Sequence, residues 1–255
     1  VEKAPQPDRW SNLYGARRRV IACATVMEEM LPYLPADVPH EILDFGLHLH
    51  PDRLRGVLQE RIDRASRHAD VILLGYGLCS MAAVGLRASS ATVVAARSDD
   101  CIAMFLGSRD AYRQQVAKEP GTYYLTKGWI EVGDTPFDEY ERLVERYGVE
   151  RADRMIALTL KNYRRLAFIV TGAGDIAPYR ERARRIAERF GLRYEEIQGS
   201  PALLRKMIHG PWDDDFVVIS PGETSTYEQF ATRTDPAGGA SRGGPGAKPS
   251  REERR

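Results

Sequence analysis

The sequence predicts an α/β fold, an open and mostly parallel sheet or pair of sheets flanked by helices. Three observations predict it. Short apolar runs alternate with longer amphipathic stretches along most of the chain, which is the pattern of βαβ units. Two of the runs, ADVILLGYG (69–77) and ATVVAA (91–96), are almost wholly apolar, as strands buried on both faces are. The chain has 255 residues, 43% of them hydrophobic, enough for one large domain or two small ones.

Taken in order, RRVIACA (18–24) reads as the first strand. EILDFG (41–46) reads as the second, after the proline-bearing link LPYLPADVP. PDRLRGVLQERIDRAS is a helix with Pro51 in its first turn and Leu54, Val57, Leu58 and Ile62 on one face. After the strands at 69–77 and 91–96, helices are expected at about 100–117, 136–147 and 149–160. The alternation resumes with LAFIVTG (166–172), a helix from Pro178 to Phe190, RYEEIQG (193–199), a helix near 201–209 and FVVIS (216–220). Strands near 20, 72, 93, 168 and 217 are expected to run parallel in Rossmann-like layers. One domain or two stays open, with the helical stretch 134–162 as the place of a subdomain split. The α/β domain is expected at 17–232, between a proline-bearing segment (1–16) and a Gly, Pro and Arg-rich tail (233–255) that both read as disordered.

Lys and Arg number 37 against 36 for Asp and Glu, a balance that points away from nucleic acid. No apolar run approaches the roughly 20 residues of a membrane span. The opening VEKAPQPDRWSN lacks the apolar core of a secretory signal, so the expected location is the cytoplasm. Three cysteines without a CxxC pair fit neither a disulfide framework nor a zinc ribbon. G-x-S-x-G, H-E-x-x-H and G-x-x-x-x-G-K-[ST] are all missing, which leaves serine hydrolase, zincin and P-loop readings without their markers.

The cysteines carry the strongest signal. Cys23, Cys79 and Cys101 each fall at or just after the carboxyl end of an expected parallel strand. Ligands of open α/β sheets bind beyond those ends. Three thiols delivered there suit zinc or an iron–sulfur cluster, with a fourth position left for substrate. The bland alternative is three buried cysteines acting as small hydrophobes. Gly75 and Gly77 allow close backbone approach, Asp99 and Asp100 are placed to cap the next helix, and that helix start is expected to lower the pKa of Cys101. His48 and His50 follow the second strand and are further ligand candidates.

Other stretches offer weaker chemistry. Tyr123, Tyr124 and Trp129 of GTYYLTKGW either line a pocket or staple a loop to the core. Gly172 and Gly174 of TGAGDIA match the form of a dinucleotide turn, with Glu195 and Glu196 near the distance of a ribose-binding acid. Asp175 in that turn would repel phosphate and serves equally as a helix cap. SPGETS (220–225) would end at the cysteine edge if its strand is parallel.

GYGLCS, DDCIAMFLGS, GTYYLTKGW, LHLHP and HGPWDDDFVVISPGE together resemble the bacterial and archaeal family known as domain of unknown function 1638, over about residues 18–223. The resemblance implies no established activity. It implies a setting beside corrinoid-dependent methyltransferases and one-carbon transfer. The family pattern has Cys-Gly where this chain has Cys79-Ser80, and often His-Asp-Cys where it has Asp99-Asp100-Cys101. The leading expectation is a three-cysteine zinc or iron–sulfur protein in or beside corrinoid-linked methyl metabolism. Its rivals are a metal-free interaction or chaperone protein for a methyltransferase system and a nucleotide-binding enzyme using Gly172 and Gly174.

Overall fold

The computed structural model describes residues 9–132, 135–172 and 174–231. Strand β1 (Arg18–Cys23), helix α1 (Ala24–Met30), β2 (His40–Leu43), α2 (Pro51–Ala65), β3 (Val71–Gly75) and β4 (Thr92–Ala96) open the chain. Then come α3 (Ile102–Leu106), α4 (Arg109–Lys118), β5 (Thr122–Leu125), α5 (Lys127–Val132), α6 (Pro136–Tyr147), α7 (Val149–Leu160) and β6 (Arg165–Val170). The remainder is α8 (Ala177–Arg189), β7 (Arg193–Gln198), α9 (Ala202–His209), β8 (Phe216–Ile219) and α10 (Tyr227–Phe230).

Two sheets form, a larger one in the order β2-β1-β3-β4-β8 and a smaller one in the order β5-β6-β7. All pairs of these strands are parallel except β4 with β8. The strand at 217 therefore corrects the all-parallel expectation, and SPGETS leaves at the edge opposite the cysteines. Hydrophobic pattern reports burial but not direction. β3 and β4 are buried along their whole length, and α2 covers the larger sheet with Leu54, Leu58 and Ile62.

The helix expected at 100–117 is two helices. Gly107 takes a left-handed φ of 85° and ends α3, while the Ser108 side chain accepts from Ala111 N–H and starts α4. The chain changes sheet between β4 and β5 and again between β7 and β8, so the stretch 134–162 is no bridge. It holds α6 and α7, the crossover inside the smaller sheet. Of the segment expected to be disordered at the start, residues 9–16 include a 3-10 turn (Ser11–Leu13), and Tyr14 stands edge-on to Trp212 at 5.0 Å. Residues 1–8 and 232–255 lie outside the described residues.

What positions the site is the meeting of the two sheets. The segments leaving their carboxyl edges pack on one another. A Cβ on Gly128 of α5 would sit 3.2 Å from the Thr25 carbonyl of α1, and Lys127 pairs with Glu28 at 2.9 Å. Ser200, just past β7, donates its N–H to the Phe105 carbonyl of α3 at 2.9 Å. The two carboxyl edges thus face each other.

Candidate functional site

β1, β3 and β4 are neighbours, and each hands one cysteine to the carboxyl edge. Cys23 ends β1 at 1% exposure, with its sulfur 3.1 Å from the Thr25 hydroxyl. Cys79 follows β3 and Cys101 follows β4, at 7% and 6% exposure. Loops 75–79 and 97–101 run side by side, with Leu78 N–H on the Ser98 carbonyl at 2.7 Å and Cys79 N–H on the Asp99 carbonyl at 2.9 Å. Gly77 does allow a close approach, but to protein: a Cβ there would lie 2.6 Å from the Ser98 carbonyl.

Cys79, Ser80 and Met81 have φ of 44°, 55° and 73°, three successive non-glycine residues in the left-handed region. Such a run is costly at each step and is held only by its surroundings, a condition concentrated at functional sites. Here the holding contacts are the bonds to residues 98 and 99 and the Ala82 and Ala83 N–H groups, which close on the Cys79 and Leu78 carbonyls.

Burial raises the pKa of all three thiols. For Cys79 and Cys101 the charges of Cys23 and Asp100 raise it further. The expected lowering at Cys101 is overturned, because α3 has only five residues and burial dominates. The thiols are close enough to feel one another's charge. Among the described residues, no three His, Cys, Asp or Glu side chains are grouped so as to hold a metal ion.

Tyr76 lies among them, fully buried, with a hydroxyl that has no hydrogen-bond partner among the described residues. His48 stacks on its ring at 5.6 Å and on Phe45 at 5.2 Å. The His48 Nδ1 is 2.9 Å from the Phe45 carbonyl, which can only accept, so Nδ1 carries the proton and Nε2 keeps its lone pair. Burial lowers the His48 pKa and keeps the ring neutral. His50 is exposed at the start of α2. Of the two histidines, His48 faces the site.

The acids exchange roles in the same way. Asp99 is exposed, whereas the half-buried Asp100 accepts from Ile102 N–H at 2.9 Å and from the Tyr112 hydroxyl at 3.1 Å. Burial pushes the Asp100 pKa up to about 6 despite those two bonds. Tyr124 reaches this corner through Tyr112, edge to face at 5.8 Å. Trp129 stands between Phe45 and Phe105 at 6.3 and 5.7 Å, buried in the core. Tyr123 lies elsewhere. Its ring packs on Phe137 and Tyr163 in the core of the smaller sheet.

At the dinucleotide-like turn, Gly172 and Gly174 have φ of 82° and 70°, and Asp175 caps α8 by accepting from Ala177 N–H at 3.0 Å. Glu195 pairs with Arg193 and Arg165 at 2.9 and 3.1 Å, and those guanidiniums hold its pKa down to about 2. Glu196 pairs with Arg180 at 2.9 Å. Both acids are occupied by arginines.

A family profile described as "Protein of unknown function (DUF1638)" matches residues 42–208. The chain belongs to the DUF1638 family. The matched span contains Cys79 and Cys101 and begins after Cys23. Neither the curated proteins nor the solved structures include a match. Sequence reasoning missed Tyr76 and the buried Glu29 of α1. Tyr76 lies within GYGLCS, and its place directly after a buried strand was the available signal; Glu29 gave none.

Proposed function

We propose that this DUF1638 protein holds zinc or an iron–sulfur cluster through Cys23, Cys79 and Cys101, and acts in or beside corrinoid-dependent methyl metabolism. One observation carries the reading: three adjacent parallel strands each deliver a buried thiol to one edge, within reach of the others' charge. Burial and mutual repulsion keep the thiols protonated, and a bound cation is the ordinary means of offsetting three such charges. The donors fit in kind, since thiolates suit both zinc and iron–sulfur centres. Among the described residues the three are not grouped as a metal site, so binding would have to draw the sulfurs together. Zinc bound there would supply Lewis-acid chemistry or an activated thiolate, and a cluster would supply electron transfer. The cytoplasmic location and the corrinoid methyltransferase partner are part of the proposal. The first is supported by three free cysteines, the second by the family resemblance alone.

Elemental analysis and a visible spectrum of anaerobically purified protein test it. Stoichiometric zinc, or iron and sulfide with broad visible absorption, is the expected result, lost on each single Cys→Ala substitution. Metal-free wild-type protein that takes up neither would sink the site and favour the interaction-protein reading, in which the three cysteines are core. Nucleotide titration with and without Gly174→Val tests the remaining reading, for which the left-handed Gly172 and Gly174 are the support.

A further inference from the structure

The segments that leave the two facing edges also enclose a second place for chemistry. Glu29 of α1 lines a small cavity there with Thr171, Ser200, Tyr33, Phe105 and Leu204. The residue is 3% exposed, and its Oε1 has no hydrogen-bond partner among the described residues. A buried carboxylate oxygen without a donor carries the cost of its desolvation in full. Its charge is also poorly answered. Lys127 is already shared between Glu28 at 2.9 Å and Glu131 at 3.7 Å. At Glu29 the repulsion from Glu28 is at least as large as the attraction of Lys127. The neighbouring oxygens are further acceptors. Ser200 Oγ takes the Ala202 N–H at 3.2 Å, the Phe105 carbonyl takes the Ser200 N–H at 2.9 Å, and each keeps a second lone pair. The cavity holds about 10 Å³, the room of one water-sized group. Water there would give Oε1 a hydrogen bond and leave the charge in place. A protonated nitrogen is of similar size, only donates, and brings the missing charge. Tyr33, Thr171 and Ser200 are only half-buried, which sets the cavity close to the surface and within reach of a ligand.

We propose that this cavity binds a protonated amine, with Glu29 Oε1 as its counter-charge and the oxygens of Thr171, Ser200 and Phe105 as further acceptors. The shared chemistry is a cationic head that donates N–H bonds, supplied by the ammonium ion or by the end of a primary amine. The site is separate from the cysteines, and no part of the inference rests on what they hold.

Thermal unfolding of the full chain in phosphate buffer tests it, with the chlorides of ammonium, ethylammonium, potassium and tetramethylammonium compared at equal ionic strength. A ligand of the folded state raises the midpoint as its concentration rises. Ammonium or ethylammonium should stabilise wild type beyond potassium, which has the charge without N–H donors, and beyond tetramethylammonium, which has neither the donors nor the size. Ammonium acting alone assigns the free ion, and ethylammonium acting as well assigns an amine carried on a carbon chain. Glu29→Gln keeps the side chain's size and removes its charge, so it should weaken amine binding about tenfold or more. Without amine, the same variant should unfold no earlier than wild type at neutral pH, because it removes a buried charge. Four cations acting alike on wild type overturn the proposal and leave water as the occupant of the cavity. An amine effect that survives in Glu29→Gln overturns it too, and puts the amine on the more exposed Glu28 or Glu131 instead.

Discussion

The carboxyl edges of the two sheets have the same parallel geometry and different chemistry. The larger sheet's edge is soft and dry: Cys23, Tyr76, Cys79 and Cys101 are all buried, with Phe45, Phe105 and Trp129 nearby. The smaller sheet's edge adds oxygens to its apolar lining. Thr171 follows β6 and Ser200 follows β7, and with Tyr33 and Leu204 they line a cavity of about 10 Å³ that also touches Glu29 of α1. That is room for about one water molecule. The difference teaches that a parallel edge fixes where side chains converge, while residue choice decides what can bind there. Thiols suit soft cations in kind, and hydroxyls beside a carboxyl suit water or another hydrogen-bonding group.

Two glycines, one at each edge, differ in how tightly they are held, and this gives the largest expected effect. A Cβ on Gly77 would lie 2.6 Å from both the carbonyl and the hydroxyl oxygen of Ser98. Gly77→Ala should push the Cys79 loop away from the Cys101 loop and cost about 3 kcal/mol in chemical denaturation. Gly172 of the smaller sheet has a φ of 82°, and a Cβ added there would meet no described atom within 4 Å. Gly172→Ala should therefore cost only the left-handed strain, about 1 kcal/mol. Equal losses at the two glycines would show that the Cys79 and Cys101 loops yield at Gly77 without cost.

Much of this is readable from residues. β3 and β4 announce themselves as unbroken apolar runs, and the cysteines follow because a strand end is a sequence position. β5, inside GTYYLTKGW, is hidden, since a four-residue run of threonine, tyrosines and leucine reads equally as an aromatic loop. The direction of β8 is illegible because burial has no sign along the strand. Which acid of Asp99 and Asp100, or which histidine of His48 and His50, turns inward depends on turn geometry that spacing does not encode. Glu29, in ATVMEEM, looks like a surface charge. Only the packing of α1 beneath the carboxyl edge of β6 makes it a buried one.

That carboxyl supplies the next test of the contrast. Glu29 is 3% exposed, and its Oε1 has no hydrogen-bond partner among the described residues. Burial raises its pKa above the ordinary 4.5, and the Thr171 hydroxyl, the Gly128 N–H and Lys127 offset this only in part. As pH rises, the unfolded chain loses this proton first, so the contribution of Glu29 to stability is full below about pH 4.5 and declines as pH climbs toward the raised folded value. Glu29→Gln should flatten that decline, and its advantage over wild type should grow as pH rises from about 4.5 and level off once the raised folded value is passed, in denaturant titrations. An advantage that shrinks over this range would mean that the carboxylate is well solvated or paired, and that the second edge is not the desolvated site the contrast requires.

The smallest effect concerns the left-handed run. Ser80 has a φ of 55° between Cys79 at 44° and Met81 at 73°, and the family resemblance places glycine where this chain has Ser80. Glycine occupies that conformation without the roughly 1–2 kcal/mol that an L side chain meets there. It also brings a more flexible unfolded chain, which returns about 0.5–1 kcal/mol of the gain. Ser80→Gly should therefore stabilise the metal-free protein by about 0.5 kcal/mol. If the run exists to aim the Cys79 sulfur, the same substitution should preserve metal affinity, because the backbone keeps its path at lower strain. Ser80→Pro, whose φ is locked near about −65°, cannot follow that path and should abolish metal uptake. Metal bound equally by Ser80→Pro would detach the strained loop from the site and leave the thiols of Cys23 and Cys101 to account for it.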